Sequence, residues 1–245
     1  MDDRFSQIET MWSMVRRAHD DGLTVAGQAQ QDLLERYGGA VRRYALAALR
    51  SDDAADDVFQ EFALKFVRGD FASADPERGR FRSFVKTIVY RLIVDYQRRQ
   101  KKRAREVHLP TATPEIAQDE QNLQDDEQFR KSWRDELLAR CWSLLATEQA
   151  DTGKPYHTAL KLRVDNPELR SPDLAKRLST ELGKPMSAGN TRVLLHRARD
   201  RFADLLLQAV FDTLATPSLE DAEQELIELD LFEYCRPALE RHRES

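Results

Sequence analysis

The chain has 245 residues, enough for two small domains or one large one, each with its own core. It carries 43 acidic and 38 basic side chains, a formal charge of −5, and is 41% hydrophobic and 33% charged. No apolar run approaches the roughly 20 residues a membrane span needs, and the N-terminus MDDRFSQIET lacks the basic-then-apolar design of a signal peptide.

Cys141 and Cys235 lie far apart, and the five histidines are scattered, so neither a metal nor a cofactor is expected. The two cysteines suggest buried thiols of a reducing cytosol. Almost every segment has helical period, with no clean strand alternation. Helix signals fall near residues 5–20, 25–50, 52–68, 80–103, 128–147, 155–164, 172–182, 188–210 and 219–235. The stretch 106–128 differs: Pro110 and Pro114 accompany the acids Glu115, Asp119, Glu120, Asp125, Asp126 and Glu127, with few large apolar residues. Such a segment buries too little apolar surface to offset its ordering entropy. The expected fold is all-α. Its parts are a helical domain over 1–105, a flexible acidic linker over 106–128, a second helical domain over 129–211 and an acidic helical extension over 212–245.

In the helix near 52–68, Ser51 is a candidate cap, and Asp52, Asp53 and Asp56 suit the positive end of the dipole. Lys65 and Arg68 suit the other end, and Gly69 is a natural stop. Ala55, Val58, Phe59, Phe62 and Phe66 share one apolar face. The opposite face carries Asp53, Asp57, Gln60 and Glu61, with Leu64 and Val67 among them. Two readings stand: a solvated face with two residues covered by a neighbouring helix, or a docking surface where acids steer and Leu64 anchors.

From Arg78 to Arg105 there are eleven Lys/Arg and a single acid, Asp95. A cationic surplus inside an acidic chain is an address for a polyanion. Phe81, Phe84, Val85, Ile88 and Leu92 make the expected core stripe of this helix, while Arg82, Lys86, Tyr90, Ile93, Gln97 and Lys101 descend the other side. Cations beside an outward aromatic suit opened DNA, where stacking contributes about 1–3 kcal/mol per base. The plainer alternative is a buried Tyr90 and Ile93 beside a solvated basic run.

Further on, Ser171-Pro172 reads as a cap followed by proline in the first turn, and Leu174, Leu178 and Leu182 follow at helical spacing before Gly183. Ser187 then caps AGNTRVLLHRARDRF, with Thr191, Leu195, Ala198 and Phe202 inward and Asn190, Arg192, Val193, His196 and Arg197 outward. This is helix-turn-helix logic, where early residues of the second helix reach base edges. Many αα-hairpins share the pattern, and His196 could equally be an ordinary surface histidine.

DDAADDVFQEFALKF is similar to the core-polymerase-binding helix of bacterial sigma factors of the extracytoplasmic-function group, within the sigma-70 family. GRFRSFVKTIVYRLIVDYQRRQKKR resembles the family's promoter-melting, minus-ten-reading helix, and SPDLAKRL with SAGNTRVLLHRARDRF resembles its minus-thirty-five-reading helix-turn-helix. The resemblance covers roughly 35–105 and 135–207. It implies core-polymerase contacts through Asp53, Asp56, Asp57, Gln60, Glu61 and Leu64. It implies minus-ten DNA contacts through Arg80, Arg82, Lys86, Tyr90, Arg91, Gln97, Arg98 and Lys101, with the loop Asp70–Gly79 cradling a flipped base. Minus-thirty-five contacts fall on Ser187, Asn190, Arg192, His196 and Arg197. The implied protein is a cytoplasmic specificity subunit without catalytic residues, monomeric when free. Its partners are core RNA polymerase and promoter DNA, with room for an anti-sigma factor and no membrane insertion. The turn STELGKPMS is longer than the family's usual one, Val193 and Leu194 replace common polar residues, and Tyr90-Arg91 replaces a small residue followed by asparagine.

Two other readings differ in class. Asp52-Asp53-x-x-Asp56 has the spacing of the aspartate motif of helical isoprenoid synthases, but a second metal motif is missing. A free-standing helix-turn-helix regulator with a helical sensor domain would bind DNA without polymerase. The C-terminal SLEDAEQELIELDLFEYCRPALERHRES lies outside the resemblance and holds nine acids and three arginines. Ser218 and Asp221 could cap it, and Leu219, Ala222, Leu226, Leu229 and Phe232 give an apolar face. It is expected to pack on a basic DNA surface and inhibit, or simply to stabilise.

Overall fold

The computed structural model describes residues 23–68, 70–71, 80–106, 118–214 and 217–244. Among them are nine helices and no strand, as the all-α expectation requires. They are α1 Leu23–Leu49, α2 Asp52–Val67, α3 Phe81–Glu106, α4 Gln118–Thr152, α5 Tyr156–Asp165, α6 Ser171–Leu182, α7 Ala188–Phe211, α8 Leu219–Glu228 and α9 Phe232–Glu244. The helix signal near 5–20 and the stop at Gly69 lie outside the described residues.

The helices group into two compact units: the described residues of Met1–Glu136 with Phe211–Ser218, and those of Leu137–Val210 with Leu219–Ser245. The first unit is built on aromatic side chains. Tyr37 of α1 stacks on Trp133 of α4 with centroids 4.7 Å apart, Phe81 of α3 meets Tyr37 edge-on at 5.4 Å, and Tyr44 meets Phe129 at 5.0 Å. Such pairs contribute about 0.5–1.5 kcal/mol each beyond the area they bury. Gly38 lets α1 and α2 approach, since a Cβ there would lie 2.9 Å from the Phe59 ring. Arg43 reaches Glu136 at 2.5 Å, and Arg36 lies 3.8 Å from Asp212.

The compact units are divided differently from the expected domains. Phe129–Glu136 belongs to the first unit, so the units divide at Glu136–Leu137, and Gln118–Gln128 of the expected linker is already helical. The reason is a continuous apolar stripe: Phe129, Trp133, Leu137, Cys141 and Leu145 recur every four residues on α4 and are all buried. The rest of the expected linker, 107–117, lies outside the described residues.

The second unit buries Leu137, Cys141 and Leu145 of α4, Leu174 and Leu178 of α6, Leu195, Phe202 and Leu206 of α7, and Cys235, Ala238 and Leu239 of α9. Cys141 and Cys235 are buried free thiols. The single helix expected near 219–235 is two. Asp230 takes a left-handed φ of 56°, while Leu231 N–H donates to Leu226 C=O at 2.8 Å and Asp230 N–H to Ile227 C=O at 3.1 Å. That is a Schellman end built on aspartate, so the usual glycine signal is missing.

Candidate partner and nucleic-acid interfaces

Ser51 caps α2, its Oγ accepting from Ala54 N–H at 3.3 Å. Ala54, Ala55, Val58, Phe62 and Phe66 are buried and Phe59 half-buried. The other face is exposed at Asp53, Asp57 and Gln60, with Leu64 54% and Val67 52% accessible. Two of the expected polymerase-contacting acids are held by the chain's own cations. Arg42 donates to Asp56 at 2.5 Å and to Asp52 at 2.9 Å; Arg99 of α3 donates to Glu61 at 2.6 Å. The hydrogen bond to Asp56, then that to Asp52, holds the Arg42 guanidinium above its usual range, and Glu61 does the same to Arg99.

On α3 the buried set is Phe81, Arg82, Val85, Val89, Leu92 and Ile93, with Phe84 and Ile88 half-buried. Two side chains expected to face outward are therefore inward. Arg82 is 7% accessible and Ile93 4%. The buried stripe is rotated by about one position, because 82, 89 and 93 stack at i, i+7 and i+11. Arg80, Lys86 and Tyr90 are half-buried, while Arg91, Gln97, Arg98 and Lys101 are exposed beside Lys102 and Arg103. Lys86 pairs with Asp126, one of the acids assigned by sequence to the linker. Of the loop expected to cradle a base, Asp70 and Phe71 are described. Phe71 is buried against Phe62, Phe66 and Phe84 at 5.7–5.9 Å, and Asp70 lies 3.7 Å from Lys65. Residues 72–79 lie outside the described residues.

In the second unit, α6 begins at Ser171 with Arg170 as its N-cap and no side-chain capping bond, so the expected Ser171 cap shifts by one residue. Its end at Gly183 is left-handed, φ 62°, and Met186 N–H donates to Ser179 Oγ at 2.9 Å. Ser187 caps α7 through Asn190 N–H at 3.1 Å. Leu174, Leu178, Ala159 and Leu195 form the core between these helices, with Leu194 packed against it. Thr191, Leu195, Ala198 and Phe202 face inward as expected. Ser187, Asn190, Arg192, Val193, His196 and Arg197 are exposed on one side. Arg192 Nε donates to its own helix at Ala188 C=O, 3.3 Å, and His196 Nδ1 lies 2.8 Å from Asp200.

Among the described residues, the extension leaves this face exposed. Arg241 of α9 donates to Asp204 at 2.6 Å, and Tyr234 of α9 meets Phe202 edge-on at 5.9 Å, so α9 lies on the C-terminal half of α7. Of its three arginines, Arg241 reaches acids of α7, while Arg236 and Arg243 pair with Glu233 and Glu223 inside the extension. Arg42, Arg99, Asp126 and Asp200 were missed as partners of the expected site residues. The i,i+4 spacing of His196 and Asp200, like the i,i+3 spacing of Asp95 and Arg98, is a local signal that could have shown such a pair.

The described residues include no helix long and apolar enough to cross a membrane and no cluster of His, Cys, Asp and Glu suited to a metal. What the two units present, among the described residues, is a set of exposed, charged helix faces. Residues 33–103, less than a third of the chain, match the family model for sigma-70 region 2. The match supports a sigma-70 family member with a role in transcription initiation, and factors of that family are non-catalytic specificity subunits. No curated protein and no solved structure matches the chain.

Proposed function

We propose that the chain is a sigma factor of the extracytoplasmic-function group, acting in the cytoplasm as a monomer until it joins core RNA polymerase. α2 docks on the polymerase through Asp53, Asp56, Asp57, Gln60 and Glu61 with Leu64 as anchor. α3 holds the opened minus-ten strand through Arg80, Lys86, Tyr90, Arg91, Gln97, Arg98 and Lys101. The exposed side of α7, with Ser187, Asn190, Arg192, His196 and Arg197, reads the upstream element. Arg82, being buried, supports α3 from beneath rather than touching DNA.

The observation that carries this reading lies inside the span similar to region 2. An apolar anchor ringed by acids and a cationic aromatic face sit on successive helices there. Acids and an exposed leucine suit a basic protein surface; cations and a phenol ring suit phosphates and an unstacked base.

A gel shift with and without core polymerase, followed by transcription from a promoter library, tests it. The expected result is a shifted promoter and specific transcript only with core enzyme present. A shift by the chain alone, unaffected by core, would mark a free-standing regulator instead.

A further inference from the structure

The extension α8–α9 lies outside the region 2 match and has no part in the surfaces proposed above. Its contacts with α7 are specific. Cys235, Ala238 and Leu239 of α9 are fully buried, and Tyr234 packs its ring edge on Phe202. Arg241 spans two acids one turn apart on α7: Nη2 lies 2.6 Å from Asp204 Oδ1 and Nη1 3.9 Å from Asp200 Oδ1. The other Asp200 oxygen lies 2.8 Å from His196 Nδ1. The His196 side chain is 78% accessible and shares its face of α7 with Arg192, Val193 and Arg197.

A carboxylate fixed on Nδ1 selects the imidazole tautomer that carries its proton there. The neutral ring then offers Nε2 as a hydrogen-bond acceptor. In the major groove an acceptor finds the adenine N6 or cytosine N4 amino group. Asp200 by itself is a short, partly accessible side chain with rotamer freedom; the guanidinium of Arg241, anchored at Asp204 and carried on a helix buried along one face, limits that freedom.

We propose that Arg241 is a positioning residue for base reading: through Asp200 it fixes His196 so that Nε2 accepts from a base amino group in the upstream element. This rests on the sigma-factor reading for its DNA target but not for the Arg241–Asp200–His196 linkage itself.

Two readouts on the full chain separate the two. The first is the imidazole nitrogen NMR spectrum of the free protein. His196 is expected as the Nδ1–H tautomer, mixed in Asp200→Ala and Arg241→Gln, and restored in part by Arg241→Lys. An unchanged tautomer in Arg241→Gln would overturn the linkage whatever the DNA result. The second is competition binding of the holoenzyme to a randomised upstream element. His196→Ala, Asp200→Ala and Arg241→Gln should all lose preference at one and the same base pair, by about 3–10-fold, the worth of one hydrogen bond. Arg243→Gln, whose partner Glu223 lies within the extension, should match the wild type. Uniform weakening at every position, or an unaltered profile, in Arg241→Gln would overturn its role in reading. Absence of any base preference in the wild type, with the tautomer shift intact, would instead refute the sigma-factor reading.

Discussion

Arg99 of α3 and Glu61 of α2, 38 residues apart in sequence, are joined by a hydrogen-bonded ion pair of 2.6 Å. The pair ties the acidic face to the cationic helix, so one cation of the basic run is already engaged within the protein. Both side chains are partly accessible, at 51% and 31%, and pairs of this kind contribute about 0.2–1 kcal/mol to stability. Glu61→Gln should therefore lower the melting temperature only slightly. Core-polymerase affinity should fall by a larger factor, about three- to tenfold, if the carboxylate exchanges Arg99 for a basic partner. Melting curves and fluorescence anisotropy with labelled protein measure the two effects separately.

Leu64 gives the sharper test of docking. An exposed leucine has little to lose on truncation, and Leu64→Ala should leave stability within about 0.5 kcal/mol of wild type. An interface anchor loses its partner-filled pocket, and affinity for core enzyme should drop about ten- to thirtyfold. Equal affinity of the variant and wild type in the anisotropy assay would remove α2 as the docking face.

Local patterns were legible in the sequence, and pairings across the fold were not. Ser51, Gly183 and Ser187 announced helix ends because a cap is a matter of three or four adjacent residues. The inward set Thr191, Leu195, Ala198 and Phe202 followed from helical spacing alone. On α3 the same spacing left the stripe ambiguous by about 100°, since apolar residues occur at 88, 89, 92 and 93, and Arg82 and Ile93 fell on the wrong side. Arg42, Arg99 and Arg241 each chose a carboxylate on another helix, a choice made by tertiary packing. Nor does a stripe state which core it enters, so Phe129 and Trp133, expected in the second domain, group instead with the first unit.

Trp133 turns that boundary into a measurement. Its side chain is fully buried and stacked on Tyr37. Replacing a buried tryptophan by alanine costs about 3–5 kcal/mol through lost burial and the cavity left behind. Trp133→Ala should shift the first unit's unfolding by that amount in urea. A fragment spanning 23–136 should also unfold cooperatively where one ending at residue 105 does not; equal cooperativity of the two would contradict the boundary at Glu136.

On the proposed reading, the exposed end of α3 sets the salt dependence of DNA binding. Each phosphate contact contributes about −0.9 to the slope of log K against log salt on duplex DNA and about −0.7 on a single strand. Arg98→Gln and Lys101→Gln should each reduce the slope of holoenzyme binding by roughly that step, without changing sequence preference. Asp126→Asn, which releases Lys86 from its acidic partner, should change affinity in the opposite direction. A slope that stays constant in both cation variants would show that neither touches the backbone of the DNA.

Cys235 couples the second unit to alkaline pH. Burial, with a smaller effect from Cys141 nearby, pushes its thiol up to about 12 from an ordinary value of 9.0. Below pH 9 the thiol is protonated in both the folded and the unfolded chain and has no effect on stability. Above it the unfolded chain releases the proton and the folded one retains it, so folding is opposed by about 1.4 kcal/mol per pH unit until the folded thiol ionises too. Urea midpoints of the wild type should fall between pH 9 and pH 11 more steeply than those of Cys235→Ala, with the two curves parallel below pH 8. A thiol so held is also a poor nucleophile. Ellman's reagent at pH 8 should label Cys235 only as fast as the second unit opens, and immediate labelling of the native protein would show that α9 does not seal it.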